Sequence, residues 1–363
     1  MINFDVSRDW VVLVPPEPAA ARKAGADMAR IIGLLREQAG LPSRAATLAD
    51  ALRDVPDEPI PIILLNAEPG RDFRNGFSWR LGMDRLEIYG ASGRGLCNGV
   101  YSFLDALGVR WPRPGLEKLP PSPAPRDGAY LLEYPAVHQP SETDLSRKRR
   151  LVITGETPLK YREQAVLWAV RNRIDAVVLP LKDKVPLLSG IAGVVCRSRE
   201  KLLRIVKDHA LAIEAGGWEL SLLVPRKIFS FHREVFRMEE GRRVKKYNFC
   251  STNPDTIAII KREAERRFRE NPEVSVFHLW PDRKKELTWC SCPTCRAFTR
   301  EEQNRIAINT AADVLAEIVP AGSISYYGNP DEPGSIASKP NTFVLRTLPG
   351  EAGAGESGLF LAE

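Results

Sequence analysis

Histidine is the scarcest chemistry-bearing residue: the chain has 363 residues and four histidines. A multi-histidine metal site is therefore not expected. No apolar run approaches the roughly 18 residues that cross a bilayer, so no membrane-spanning segment is expected. The start, MINFDVSRDW, lacks a basic stretch followed by an apolar one, so no secretory signal is visible. The expected compartment is the cytoplasm, and secretion stays open if the start of the chain is truncated or mis-assigned. Charge of one sign is not concentrated either. The net charge is +6, and the densest basic runs, Arg147 to Arg150 and Arg242 to Lys246, are short. Lys261 to Glu270 alternates in sign as a solvated helix face does. Nucleic-acid binding is not expected from this distribution. No G-x-G-x-x-G or G-x-x-x-x-G-K-[ST] follows any strand signal, which weighs against nucleotide-binding folds.

What is present is a folded α/β chain. It is 44% hydrophobic and 27% charged, a globular composition. At roughly 100–200 residues per domain its length suggests two domains. The first part, 1–125, reads as strand, helix, strand, hairpin, helix. Apolar residues at helical spacing (Met28, Ile31, Ile32, Leu35) place a helix over Ala19 to Gln38, closed by Gly40. Strands are expected at Trp10 to Val14, Ile60 to Leu65, Phe77 to Leu81 and Leu86 to Tyr89, and a second helix at Gly99 to Leu107. Prolines 112, 114, 120, 121, 123 and 125 then exclude a continuing helix or central strand, and 112–128 is expected to be an interdomain linker.

Helices and strands alternate over 130–335. Helices are expected at Arg162 to Arg171, Ser198 to Ala215, from Asn253-Pro254 onward, and at Glu301 to Ile318. Their strands are Ala176 to Leu181, Trp218 to Val224, Val274 to Trp280 and Ser323 to Tyr327, after a first strand near Leu151 to Ile153. Such alternation implies a parallel sheet, and the right-handed crossover rule leaves a (β/α) barrel or an open doubly wound sheet. About five strands are in hand by Tyr327, whereas a complete barrel needs eight. Residues 336–363 are expected to be an irregular tail.

Two stretches carry a resemblance. RGLCNGVYSFLDALGVRWPRPG resembles the end of the small α/β domain that precedes the barrel in family 20 hexosaminidases and in α-glucuronidases. HREVFRMEEGRRV, FCSTNPD, VFHLWPD, WCSCPTCRA and NRIAINTAADVLAEI resemble the catalytic region of the family called domain of unknown function 4838. Some members of that family are placed among the endo-acting β-N-acetylglucosaminidases of glycoside hydrolase family 163. The resemblance implies a TIM-barrel-like second domain, incomplete at its C-terminus because members of the family continue further. It implies a glycan or oligosaccharide partner and action on a β-linked N-acetylhexosamine. Two rival readings stand beside that one: a non-catalytic carbohydrate-binding relic, and a zinc-stabilised interaction module.

Glycoside hydrolysis normally needs two carboxyl groups, although an N-acetyl substrate can supply its own nucleophile. Asp282 follows the strand VSVFHLW, at the end of a barrel strand where active sites of this fold lie. Glu286 comes four residues later, and Glu332, beside Asp331, is the fallback acid. Trp280 and Trp289 bracket the Asp282 loop and offer faces for sugar stacking, with strand packing the equal alternative for Trp280. His278 alternates with Trp280 on one strand face, as a sugar contact or a satisfied core histidine. His232 matches the family's His-x-Glu wording and is a candidate substrate contact, as are Tyr327 and Asn329, which with Tyr326 end the last strand signal. No cofactor is expected for catalysis. Cys290, Cys292 and Cys295 form a cluster with three open readings: a structural zinc site completed by Cys250, a Cys290–Cys295 disulfide, or reduced thiols. Cys97 and Cys196 are expected to be ordinary buried cysteines.

Overall fold

A computed structural model describes residues 2–42, 46–49, 62–67, 75–82, 85–121, 129–132, 137–138, 148–154, 157–181, 191–282, 289–327, 335–345 and 359–362. They form two compact units. The first comprises Met1–Arg149, Pro158–Ala176 and Gly193–Ala212, and the second Arg150–Thr157, Val177–Ala192 and Ile213–Glu363. No helix among the described residues is long and apolar enough to cross a membrane.

The strands of the first unit are β1 (Ile2–Asp5), β2 (Val11–Leu13), β3 (Thr47–Ala49), β4 (Ile62–Ala67), β5 (Phe77–Leu81), β6 (Arg85–Gly90), β7 (Arg110–Arg113), β8 (Leu116–Lys118), β9 (Ala129–Leu132) and β10 (Val137–His138). Six of them make one sheet in the order β10-β5-β6-β4-β2-β3. Helices α1 (Ala19–Gln38) and α2 (Gly93–Ala106) pack together on it. Met28, Ile31, Ile32 and Leu35 of α1 are buried, and Gly40, at φ +74°, closes the helix where L-residues are disfavoured. Helix α2 starts six residues before its apolar periodicity does. Its first turn carries Gly93 and Gly95, poor helix formers, but Ser92 Oγ accepts the Gly95 N–H at 3.0 Å and caps it. A Cβ on Gly95 would lie 2.4 Å from the Gly76 carbonyl oxygen, so the close approach demands glycine.

The proline-rich stretch is partly ordered into structure. Strands β7 and β8 form a two-stranded antiparallel ribbon, in which Pro112 is tolerated because every strand is an edge. Trp111 is buried there, and its carbonyl accepts the Trp168 indole N–H at 2.7 Å. Residues 122–128 lie outside those described.

The second unit holds a seven-stranded sheet in the order β18-β17-β16-β13-β12-β11-β19. Its members are β11 (Arg150–Ile153), β12 (Ala176–Leu179), β13 (Ala212–Gly217), β16 (Val276–Leu279), β17 (Ser323–Tyr326), β18 (Thr342–Val344) and β19 (Leu359–Ala362). The short pair β14 (Met238–Glu239) and β15 (Arg242–Arg243) lies outside the sheet. Pairs β13–β16, β16–β17 and β17–β18 are parallel, and β19 runs antiparallel to β11. From β11 to β18 the spatial order follows the chain order without reversal. A doubly wound sheet reverses at a switch point, whereas a barrel wall advances one strand at a time. The fold is therefore α/β with the strand order of a barrel wall.

Four helices alternate with these strands along the chain: α3 (Leu159–Arg171) and α4 (Ile191–Asp208), which fall largely in the first unit, and α5 (Pro254–Glu270) and α6 (Arg300–Ile318) in the second. Asn253 Oδ1 accepts the N–H groups of Asp255 and Thr256 at 2.8 and 3.1 Å, with proline at the first helical position of α5. Thr299 and Glu302 make a reciprocal capping box at α6. Helices α5 and α6 pack on each other, and their apolar faces join Phe277, Leu279 and Ile324 in the core.

Two expectations are corrected here. The third strand of the sheet is Ala212–Gly217 and not Trp218 to Val224, because α4 stops at Asp208, Ala210 turns at φ +52°, and the chain enters the sheet at once. The apolar run that suggested a strand is a 3-10 turn, Leu220–Leu223, whose leucines 220 and 223 fill the core. Residues 336–363 are also not wholly irregular. They supply β18 and β19, three- and four-residue strands too short to leave a periodic signal.

Candidate functional site

The C-terminal ends of β13 and β16 are stitched together by two backbone bonds: Trp280 N–H to Gly217 O at 2.7 Å, and Leu220 N–H to Trp280 O at 3.1 Å. The approach is so close that a Cβ on Gly216, at φ +119°, would sit 2.0 Å from the His278 carbonyl oxygen. Beyond these ends the chain presents Trp218 and Glu219 from β13, Asp282 from β16 and Tyr327 from β17.

Asp282 is half-buried. Its N–H donates to Asn248 Oδ1 at 3.3 Å, and its buried Oδ2 has no hydrogen-bond partner among the described residues. Burial raises its carboxyl above the ordinary 3.8, while Ser221 and the guanidinium groups of Arg226 and Arg237 pull the other way. Glu219 Oε2 accepts the Leu181 N–H at 3.1 Å. The aromatics step outward from the core: Trp280 is buried, Trp218 lies 5.1 Å from it and 5.3 Å from Tyr327, and Tyr327 is 41% exposed.

Beneath this edge lies a sealed polar chain. Arg150 Nε donates to Glu214 Oε2 at 2.7 Å, and the same oxygen meets His278 Nε2 at 2.9 Å. His278 Nδ1 lies 2.5 Å from Ser325 Oγ, which also accepts the Trp280 indole N–H at 3.1 Å.

These positions revise the sequence-derived set. His278 has no exposed surface and both ring nitrogens are engaged, so it is a core histidine and not a sugar contact. Trp280 is 1% exposed and packs on Val152, Val178 and Leu345, which makes it a core side chain and not a stacking platform. Trp289 packs edge-on to Phe249. His232 is exposed and pairs with Glu234 at 3.3 Å in the 3-10 segment before β14. Tyr327 stands at the strand ends beside Trp218. Glu286, Asn329, Asp331 and Glu332 lie outside the described residues. Sequence reasoning missed Trp218 and Glu219, because misplacing β13 put them at the start of a strand and not past its end. The signal available was Gly216-Gly217, a strand-closing pair at positive φ.

The four cysteines form a separate cluster. Cys250, Cys290, Cys292 and Cys295 are all buried, with their sulfurs within 4.8 Å of one another. Cys250 Sγ lies 3.7 Å from Cys292 Sγ and 3.6 Å from Cys295 Sγ. All four are free, so the structure holds no Cys290–Cys295 disulfide. Cys290 Sγ accepts the N–H groups of Met238 and Cys292 at 3.2 and 3.5 Å and lies 3.8 Å from Arg243 Nη1. Sharing of protons lowers the Cys250 thiol, which accepts from Cys290 and Cys295, and pushes Cys295 up to about 11. Cys97 is buried elsewhere and donates to Ala20 O. The side chain of Cys196 lies outside the described set.

Comparison with the curated proteins gives no match. Solved structures do match in fold. A GH20 β-N-acetylhexosaminidase from Streptomyces coelicolor aligns at TM-score 0.55 and 10% identity, over 94% of this chain and 65% of that one. A chitobiase from Flavobacterium johnsoniae aligns at TM-score 0.56 and 12% identity, over 95% of this chain and 52% of its own. A β-N-acetylhexosaminidase from Bacteroides fragilis gives TM-score 0.51 and 13% identity, with 93% and 65% covered. The chain thus spans between about half and two thirds of the length of these structures. The resemblance carried by the His232 and cysteine motifs holds at the level of the family: residues 215–344 match the family described as domain of unknown function (DUF4838).

Proposed function

We propose that the protein is a glycoside-hydrolase-like protein that acts on a β-linked N-acetylhexosamine glycan, with Asp282 as the proton donor. The observation that carries this reading is the Asp282 carboxyl: at a strand end, half-buried, raised in pKa and with Oδ2 unpartnered among the described residues. Burial that favours the neutral carboxyl suits delivery of a proton to a glycosidic oxygen. Glu219, from the adjacent strand end, is the second carboxyl. It either orients water or polarises the acetamido group, whose oxygen then attacks the anomeric carbon. Trp218 and Tyr327 supply apolar faces for sugar rings.

The test is release of reducing sugar from chito-oligosaccharides and from an aryl β-N-acetylglucosaminide. Turnover lost in Asp282→Asn, with binding retained, supports the assignment. Binding without turnover in the wild type replaces it with the carbohydrate-binding relic. Neither binding nor turnover sinks the sugar reading altogether.

A further inference from the structure

We propose that Cys250, Cys290, Cys292 and Cys295 hold one Zn²⁺ ion as a closed tetrathiolate centre that fixes the chain on both sides of Asp282. A zinc ion bonded to four sulfurs at about 2.3 Å in a tetrahedron separates those sulfurs by about 3.8 Å. The two distances measured from Cys250, 3.6 and 3.7 Å, already match that edge. Free thiols have no reason to converge four at a time, all buried and within 4.8 Å of one another. The space admits a single ion. An iron–sulfur cage needs its thiolates splayed further apart around several metals. Sulfur-only tetrahedral coordination with no open position favours zinc in a structural role.

The surroundings suit thiolates. Four thiolates around Zn²⁺ carry a net charge of −2, which burial penalises unless donors face the sulfurs. Those donors are present on Cys290: the backbone N–H groups of Met238 and Cys292, and the Arg243 guanidinium. Thr252 Oγ1 lies 3.1 Å from Cys295 Sγ. Gln303 then locks the loop, accepting the Cys290 N–H and donating to the carbonyls of Cys290 and Cys295.

The centre is not catalytic, and its consequence is positional. Cys250 lies two residues after Asn248, whose side chain accepts the Asp282 N–H. Cys290 lies eight residues after Asp282 in the sequence. One ion therefore ties down both the partner of Asp282 and the chain eight residues beyond it. The metal is measurable without any substrate, so this inference and the glycosidase reading fail separately.

The experiment is metal analysis of the purified chain, prepared without chelator. The expected result is about one zinc per chain, and exchange into Co²⁺ should give thiolate charge-transfer bands with a tetrahedral ligand-field spectrum. Chelating the zinc from wild type should make four further thiols reactive to a thiol reagent. Cys97→Ser should keep its zinc, and Cys292→Ser should lose it. Should Cys292→Ser fail to fold, Arg243→Met leaves all four ligands in place and should weaken zinc affinity by about 10–100-fold. Folded wild type without zinc and without a cobalt–thiolate spectrum overturns the proposal. Stoichiometric iron in place of zinc overturns it as well.

Discussion

Two polar groups on one strand have opposite fates. His278 sits inside β16 with no exposed surface, held between Glu214 and Ser325, and Glu214 in turn is held by Arg150. Asp282 lies just past the end of the same strand, half-buried, with an oxygen that meets no donor among the described residues. Burial of polar groups is ordinarily compensated by hydrogen bonds, as around His278. A buried carboxyl oxygen without a donor costs stability relative to a satisfied one. The contrast separates a fully hydrogen-bonded polar group from a partly unpartnered one within a few residues.

The largest expected effect falls on the compensated side. Glu214→Ala leaves the Arg150 guanidinium, 7% exposed, without its carboxylate, and should cost about 3–5 kcal/mol in denaturant unfolding. A loss below about 1 kcal/mol would mean that the network is not the sealed structure described. On the other side, Asp282→Asn should lower hydrolysis by about 10²-fold or more without loss of stability. Equal stability losses at both positions would erase the contrast.

The pH dependence sharpens the comparison further. The folded value of Asp282 is raised above 3.8, so its contribution to stability is complete below that value. It is lost as pH rises through the folded value, where the half-buried carboxyl ionises. Asparagine cannot ionise, so the stability of Asp282→Asn relative to wild type should rise from acid to neutral pH. Denaturant midpoints across that range check the sign, and a difference that is flat or reversed contradicts it. The smallest effect is expected at Thr299, where the α6 cap is a local interaction. Thr299→Ala should cost about 1 kcal/mol in unfolding and leave turnover unchanged.

Legibility in the sequence followed the locality of the signal. The limits of α1 were readable because its apolar spacing and terminal Gly40 both act within a few residues. Strand β5 and the Asn253-Pro254 start of α5 were readable for the same reason. Strand β13 was not, because AIEAGG carries no β-branched run: what selects its place is the backbone of β16 pressing against Gly216. The start of α2 was hidden by glycines that serve packing against Gly76 and Gly90. Helix–strand alternation pointed to a parallel sheet but left a barrel and a doubly wound order open, and only the resemblance implied the barrel-like one. Trp218 and Glu219, by contrast, became visible only once β13 was in register with β16. The interior place of Trp280 was equally invisible, since one tryptophan on a strand looks the same facing a core or a sugar.

The close approach at Gly216 has an evolutionary reading. Its neighbour Gly217 also has positive φ, at +133°, but no atom of the described residues lies within 4 Å of where its Cβ would stand. Drift at Gly217 is restrained by a backbone conformation that L-residues rarely adopt. Drift at Gly216 is blocked by an atom of another strand, which no choice of side chain relieves. The two adjacent glycines should therefore diverge at different rates in descendants of this chain. Loss of the first would signal that the β13–β16 junction, and the edge bearing Asp282, has been rebuilt.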